Sequence, residues 1–194
     1  MSEWSEVVKG KLKIKFKTCL WKECPDDVDK CKRYSVDVKN PRIATKTEEG
    51  YNCTIIGNTP LPPSKVTSWS IKILKSKRND GAYFYVGVAP FDINQNENGN
   101  YLNNGWYLNC FHSILFSGPP HNYMNSAYGP RKGDGKYVHT GDSVGVLMDT
   151  AKGNLSFVLN GVNHGAAFKR IPPDKPLVPC VLLLCKGDSV KLVI

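Results

Sequence analysis

The sequence has no long apolar run. The longest, Val178–Cys185, holds eight residues and includes a proline, whereas a membrane-spanning helix needs about 18. Charged residues begin at Glu3 and lysine alternates through Lys9–Lys17, so the apolar stretch of a secretory signal peptide is not present. We therefore expect no membrane span and a cytoplasmic location, with the nucleus as the alternative.

Acidic residues are scarce relative to basic ones, and helical periodicity is lacking. The 17 Asp and Glu stand against 26 Lys and Arg, for a formal net charge of +9, which indicates either solvated lysine on strand faces or an acidic partner. No stretch shows sustained 3.6-residue periodicity, so long amphipathic helices are not expected. The seven cysteines are an odd number, which excludes complete internal pairing and fits a reducing compartment.

Glycine and proline are abundant, at 17 and 13 residues. They separate short apolar segments at intervals of about ten residues, which predicts an all-β sandwich or barrel. The predicted strands are Lys11–Lys17, Tyr34–Val38, Ile43–Thr47, Tyr51–Ile56, Val66–Leu74, Tyr83–Ala89, Trp106–Asn109, Ile114–Phe116, Ser143–Met148, Leu155–Leu159, Val178–Leu184 and Ser189–Ile194. Residues 21–33 are polar and interrupted by proline, and we interpret them as a connecting loop.

The sharpest local signal is Asn160-Gly161 after the apolar run Phe157–Leu159. This pair favours a type I′ β-hairpin, because both central residues of that turn take a positive φ. The Asn-rich residues 94–104 are predicted to form a long loop, and long loops on a rigid sandwich are where binding usually occurs.

One motif resembles a catalytic one. Gly141–Gly145 matches the G-x-S-x-G pattern of a hydrolase nucleophile elbow, which needs a strand before the serine and a helix after it. Here a turn precedes Ser143 and alternating apolar residues follow it. A second Gly-Asp-Ser-Val, at residues 187–190, also leads into an alternating strand. Both copies indicate turn chemistry, and we predict no catalytic residue and no enzyme.

The cysteines and histidines do not form a clear metal-binding pattern. Structural zinc prefers two closely spaced pairs, whereas Cys19, Cys24 and Cys31 are a single unmatched group. A zinc site at these three cysteines is the minor alternative. Cys180 and Cys185 lie in an apolar run and are interpreted as small core residues. We predict no metal and no cofactor.

The order and spacing of several further motifs resemble those of the SPRY domain family. The motifs are Trp69–Ile73, Tyr85–Ala89, Gly105–Leu108, Gly141–Asp149, Gly153–Gly161, Gly165–Phe168 and Pro176–Pro179. The resemblance covers residues 34–194 and leaves residues 1–33 as an N-terminal extension with a predicted added strand. It implies a lectin-like (concanavalin-like) jelly-roll β-sandwich of two antiparallel sheets. It also implies a non-enzymatic protein–protein interaction module, an adaptor for substrate recognition.

The resemblance further implies a binding site on three loops, residues 40–46, 91–106 and 185–187. Matching by position places Asn40, Arg42 and Ala44 in the first loop, Tyr101 in the second and Lys186 in the third. Tyr101 offers stacking area, while Arg42 and Lys186 can meet carboxylates or carbonyls. Family members commonly carry a tryptophan in the third loop, and the cysteine and lysine found here favour acidic ligands. The predicted partner is a short extended peptide, acidic or Asn-containing, bound by a monomer.

Two other binding classes remain open at this point. The alternating lysines of Lys9–Lys17 could bind nucleic acid or another acidic partner, with an affinity that falls steeply with salt. No aromatic residues interleave them to form a stacking platform, so nucleic acid is the less favoured reading. Carbohydrate binding is compatible with a lectin-like fold, but the family resemblance disfavours it.

Overall fold

The computed structural model describes residues 14–15, 19–23, 33–50, 53–78, 84–93, 95, 104–117, 124–129, 138–172 and 174–194. In this part of the chain no helix has the length and apolar character needed to cross a membrane. The strands are β1 (Ile14–Lys15), β2 (Tyr34–Val36), β3 (Ile43–Lys46), β4 (Cys53–Ile56), β5 (Val66–Lys75), β6 (Phe84–Pro90), β7 (Trp106–Asn109), β8 (Ile114–Ser117), β9 (Met124–Ala127), β10 (Ser143–Asp149), β11 (Asn154–Leu159), β12 (Val162–Phe168), β13 (Leu177–Leu183) and β14 (Ser189–Val193).

The strands form two sheets. The first has the order β12-β11-β10-β5-β14-β3-β2, and the second has the order β4-β13-β6-β7-β8-β9. Neighbouring strands along both orders are antiparallel. The short β1 pairs in parallel with the beginning of β5. The predicted two-sheet β-sandwich is confirmed.

The main core lies between the two sheets and follows the period-2 pattern of the strands. In β5, Trp69, Ile71 and Ile73 are buried, whereas Ser68 and Lys72 are exposed. Phe157 of β11 packs in the same cluster as Trp69, so both aromatic residues of the sequence motifs are core residues. Burial of each large apolar side chain contributes about 1.5–3 kcal/mol.

A second apolar cluster covers the outer face of the six-stranded sheet. All seven residues of β13 are buried, because Val181 and Leu183 point into the main core and Val178 and Leu182 point into the second cluster. Phe91, immediately after β6, packs against this second cluster. Burial on both faces explains why β13 is continuously apolar in sequence instead of alternating.

Strands β9 and β12 were not predicted from the sequence. β12 is an edge strand in which Phe168 is the one buried residue, and its pairing with β11 shifts register twice, so it has no apolar alternation to detect. The hairpin that leads into it is as expected. Asn160 and Gly161 have φ angles of 51° and 83°, both positive, as a type I′ turn requires.

The segment before β2 belongs to the sandwich as far as it is described. Trp21 is buried and forms an isolated bridge with Gly57, and the Lys22 N–H donates to the Ile56 carbonyl at 2.8 Å. This contact protects the outer edge of β4, which would otherwise present unpaired backbone groups. Of the predicted strand Lys11–Lys17, Ile14 and Lys15 are described and form β1, and the remainder lies outside the described residues.

Candidate functional site

The turn between β2 and β3 carries two of the predicted site residues, Asn40 and Arg42. The Asp37 Oδ1 accepts hydrogen bonds from the backbone N–H groups of Lys39 and Asn40, both at 2.8 Å. The Ile43 N–H donates to the Asn40 carbonyl at 2.8 Å. Short polar side chains stabilise turns in this way, and the backbone of the turn is therefore fixed. We call residues 37–42, the turn before β3, the Arg42 end of that strand.

Lys186 is exposed in the turn between β13 and β14. The Gly187 N–H donates to the Lys46 carbonyl at 2.9 Å, and the Lys46 N–H donates to the Asp188 carbonyl at 2.9 Å. The turn is thereby attached to the last residue of β3. We call the surface formed by residues 47–50, 76–78 and 184–188 the Lys186 end.

The structure does not bring Arg42 and Lys186 together. The Leu192 N–H bonds to the Arg42 carbonyl before the start of β3, whereas the Gly187 N–H bonds to the Lys46 carbonyl at the end of β3. An extended chain from residue 42 to residue 46 spans about 13 Å. The two residues are therefore separated by the length of β3, and a site that both of them share stays a prediction. The antiparallel register of β3 with β14 places the β2–β3 turn and the β13–β14 turn at opposite ends of β3.

The prediction that Ala44 contacts the partner is wrong, because its side chain is buried. It lies in β3, pairs with Val36 and Val190, and has no exposed surface. Because alternate residues of a strand point to opposite faces, the side chain of Ala44 belongs to the main core. Tyr101 lies outside the described residues, and its role stays a prediction.

The two Gly-Asp-Ser sequences form the same type of turn. The Asp142 Oδ2 accepts from the His139 N–H at 2.9 Å, and the Asp188 Oδ2 accepts from the Cys185 N–H at 2.8 Å. Ser143 is the first residue of β10, which continues as a strand to Asp149. The prediction of turn chemistry is confirmed at both places, and the strand that follows Ser143 does not fit a nucleophile elbow.

Asp188 connects three segments at the Lys186 end. Besides its bond to Cys185, its Oδ1 accepts from the Lys77 N–H at 2.9 Å, and its backbone carbonyl accepts from Lys46. Only 1% of Asp188 is exposed. Burial raises the pKa of its carboxyl, while hydrogen bonds from the N–H groups of Lys77, Cys185 and Leu184 and the charge of Lys46 act in the opposite direction. Asp188 therefore holds residues 46, 77 and 185 together by hydrogen bonds, and we call this arrangement the clamp. The sequence indicated Asp188 only as part of a turn.

The exposed charges of the Lys186 end surround this clamp. The Lys77 Nζ lies 2.8 Å from the Glu49 Oε1, with 57% and 62% of the two side chains exposed. The hydrogen bond from Lys77 lowers the pKa of the Glu49 carboxyl, and the positive charges of Lys77, Lys186 and Lys46 lower it further. The Lys46 Nζ is buried and donates to the Glu48 carbonyl at 2.6 Å. Within residues 184–188 the acidic group is buried, and Lys186 presents its charge to solvent.

Gln95 fastens the segment after β6 to both sheets. Its Nε2 donates to the Tyr34 Oη at 2.9 Å and to the Thr54 carbonyl at 3.1 Å, and the Tyr34 Oη donates to the Lys22 carbonyl at 2.9 Å. Gln95 is buried, although it belongs to the polar stretch that the sequence marks as a loop. Periodicity could not reveal it, because its partners come from β2 and β4, 61 and 41 residues earlier.

Replacing Gln95 with leucine is expected to lower the free energy of unfolding by about 1–2 kcal/mol, because the buried Thr54 carbonyl loses a donor. Urea denaturation measures this loss. The control is a double-mutant cycle with Tyr34→Phe, in which the Gln95–Tyr34 bond should appear as a coupling energy of about 1 kcal/mol. Strictly additive effects would show that the bond between the two side chains is not formed.

Most of the described cysteines are buried. Cys19, Cys53, Cys110 and Cys180 are buried, while Cys185 is half-buried in its turn. The interpretation of Cys185 as a core residue is therefore wrong. Burial raises the pKa of the Cys19 thiol to about 11 and that of the Cys180 thiol to about 12, so both stay protonated at neutral pH.

In the described part of the chain, no three His, Cys, Asp or Glu residues are grouped to hold a metal ion. Cys24 and Cys31 lie outside the described residues, so the zinc alternative that combines them with Cys19 stays a prediction.

Comparisons with solved structures place the fold among known domains. The SPRY domain of human HERC1 superposes with a TM-score of 0.66 at 20% identity, covering 86% of this chain and 96% of that one. The PSpry domain of TRIM65 gives a TM-score of 0.60 at 10% identity, with 91% and 92% covered. A human SPRY domain gives 0.59 at 15% identity, with 82% and 96% covered. At these identities the similarity establishes the fold.

A comparison of the amino-acid sequence, made without the fold, identifies the family. No curated protein matches the chain at a significant level. The sequence model of the SPRY domain, however, matches residues 66–194, which is more than half of the chain and includes β5 through β14. The chain therefore belongs to the SPRY domain family, a family of protein–protein interaction modules.

Proposed function

We propose that this chain is a non-enzymatic adaptor that binds a short, extended, acidic peptide segment of a partner protein at its Lys186 end. The family supplies the class of function. The observation that supports this location is the clamp formed by Asp188, whose carboxylate accepts the N–H groups of residues 77 and 185 and whose backbone carbonyl accepts that of residue 46.

A clamped surface suits an extended ligand. The segments around Asp188 are already ordered, so binding does not need to order them, and less of the interaction energy is lost. Lys186 projects from the clamped turn and can form a charge-assisted hydrogen bond with a peptide carboxylate. Lys77, engaged with Glu49 at the same end, can exchange that exposed partner for a peptide carboxylate at little cost, because an exposed ion pair contributes little by itself.

A pair of charge reversals tests the location. Acidic and Asn-containing peptides are screened on an array with the full chain, and the strongest binder is measured by fluorescence anisotropy. Lys186→Glu is expected to weaken this peptide at least about tenfold, because a charge-assisted bond is replaced by repulsion. Arg42→Glu makes the same change in net charge at the opposite end of β3 and should leave the dissociation constant within about twofold.

The two variants also separate the alternatives. Equal weakening by both would show that peptide binding depends on overall charge and would reject the Lys186 end as the site. Unchanged binding by Lys186→Glu would reject it as well. Nucleic-acid binding by Lys9–Lys17 remains a prediction, because that segment is described only at Ile14–Lys15.

A further inference from the structure

The outer face of the first sheet carries lysines on two neighbouring strands. Lys72 of β5 and Lys191 of β14 each lie between two buried residues, so both point away from the core. The register places them directly opposite each other, and it places the exposed Lys75 opposite Ser189 of β14. Directly opposed side chains have Cβ atoms about 4.5–5.5 Å apart, where like charges repel. We call Lys72, Lys75 and Lys191 the lysine row.

The strands on either side of the row place no carboxylate beside it. The outward positions of β3 next to β14 are Ile43 and Thr45, and the residue of β10 opposite Lys72 is Ser143. Asp142 and Asp188, which precede β10 and β14, accept backbone N–H groups with their carboxylates. Among the described residues, none forms an ion pair with the lysine row.

Two glutamates, Glu48 and Glu49, follow β3 and belong to the Lys186 end. Glu49 is paired with Lys77, and the lysines that lower the pKa of its carboxyl are Lys77, Lys186 and Lys46. No member of the lysine row is among these lysines. The positive charge of the row is therefore not balanced by a described acidic side chain, and it is available to an anion from outside.

Two serine hydroxyls adjoin the row. Ser143 lies directly opposite Lys72, and Ser70 lies two residues before Lys72 on the same face. Both serines are partly exposed, and neither hydroxyl has a hydrogen-bond partner in the described part of the chain. The backbone of β5 pairs with strands on both sides, so an anion here is held by side chains. Ammonium and hydroxyl groups are both donors for its oxygen atoms.

We propose that the lysine row binds the phosphate group of a phosphorylated segment of a partner protein. A phosphoserine or phosphothreonine carries about −1.5 to −2 charges and three acceptor oxygens, and lysine binds phosphate as a point charge. The outward positions of β3, β5, β10 and β14 hold no aromatic residue, so the bases of a nucleic acid have no stacking platform. Membership of a family of protein-interaction modules favours a protein as the source of the phosphate.

The lysine row goes beyond the peptide site of the Lys186 end. Its members lie in β5 and β14, on the face of a sheet, whereas Lys186 lies in a turn. The row also has a property of its own, because opposed lysines repel each other until an anion lies between them. Removing one lysine should therefore weaken phosphate binding without lowering the temperature of thermal unfolding.

An NMR titration of the full chain tests the proposal. The probe is a short Ala-Gly peptide with one central phosphoserine, and the reference peptides carry serine or aspartate at that position. The phosphoserine peptide should give saturable shifts at the amides of residues 70, 72, 143 and 191. Its dissociation constant should be at least about tenfold lower than that of either reference peptide, because the phosphate has a higher charge and more acceptors. Lys72→Gln and Lys191→Gln should each weaken it about threefold to tenfold.

The matched control is Lys152→Gln, which removes the same charge from an exposed lysine in the β10–β11 turn. This turn follows the end of β10 distant from Ser143, so the dissociation constant should stay within about twofold. Equal binding of the aspartate peptide, an equal loss with Lys152→Gln or shifts that do not saturate would overturn the proposal. Tighter binding of inorganic phosphate or of a single-stranded oligonucleotide at the row would overturn it as well. None of these results bears on the acidic peptide measured with Lys186→Glu.

Discussion

Replacing Gly87 with alanine is expected to lower the free energy of unfolding by about 3–5 kcal/mol, a large part of the stability of a domain. Gly87 lies in β6 between Tyr107 of β7 and Cys180 of β13. A Cβ atom at this position would overlap the Trp106 carbonyl oxygen and lie 2.9 Å from its carbonyl carbon. The obstacle is backbone, which cannot rotate away, so β7 would have to separate from β6.

A second glycine provides the control. Gly161 has a φ of 83° and nothing within 4 Å of its virtual Cβ, so Gly161→Ala tests backbone strain without a steric conflict and should cost about 1 kcal/mol. Urea denaturation followed by tryptophan fluorescence compares the two variants. A loss for Gly87→Ala no larger than that for Gly161→Ala would contradict the close approach of β6 and β7.

Replacing Asp188 with alanine is expected to lower the free energy of unfolding by about 3 kcal/mol. The change leaves the N–H groups of Lys77 and Cys185 without their acceptor, and each unsatisfied buried group costs about 1–3 kcal/mol. It also removes the negative charge that acts on the buried Lys46. The remaining folded protein should bind the peptide of the Lys186 end more weakly, because the turn that carries Lys186 is no longer fixed.

Two measurements separate the clamp from a general loss of stability. Amide hydrogen exchange should accelerate at residues 77 and 185 more than in β10 or β11, since local opening precedes global unfolding. Asp92→Ala removes a different carboxylate, one that forms an exposed ion pair with Lys175 at 3.0 Å, and should change stability by less than about 0.5 kcal/mol. Equal losses for the two aspartates would mean that Asp188 contributes no more than a surface charge.

Several elements were predictable because their signals are local. The alternation of buried and exposed residues in β5 follows directly from its sequence, and Asn160-Gly161 adopts the positive φ angles that its residue types favour. β12, by contrast, depends on pairing with β11 through two register shifts. An edge strand with a single buried residue leaves no apolar pattern, so its existence could only follow from its neighbour.

The candidate sites divide in the same way. Lys186 was predicted as an exposed loop cation and is one, but its separation from Arg42 depends on how β14 pairs with β3. The inward direction of Ala44 follows from the same pairing. Asp188 and Gln95 bind segments that are distant along the chain, and a hydrogen bond between distant residues leaves no periodic trace in either one.

The sequence by itself therefore determined the class of protein: an all-β chain with short strands, many turns, a basic surface and the motifs of a SPRY domain. These properties depend on residues close together along the chain, where backbone preference and strand alternation act. Which charges share a surface, which polar groups are buried and which end of β3 lies beside Lys186 were established by the pairing of strands far apart in sequence. A shift of one residue in such a pairing reverses which side chains face the core, so these features arise with the sheets and not before them.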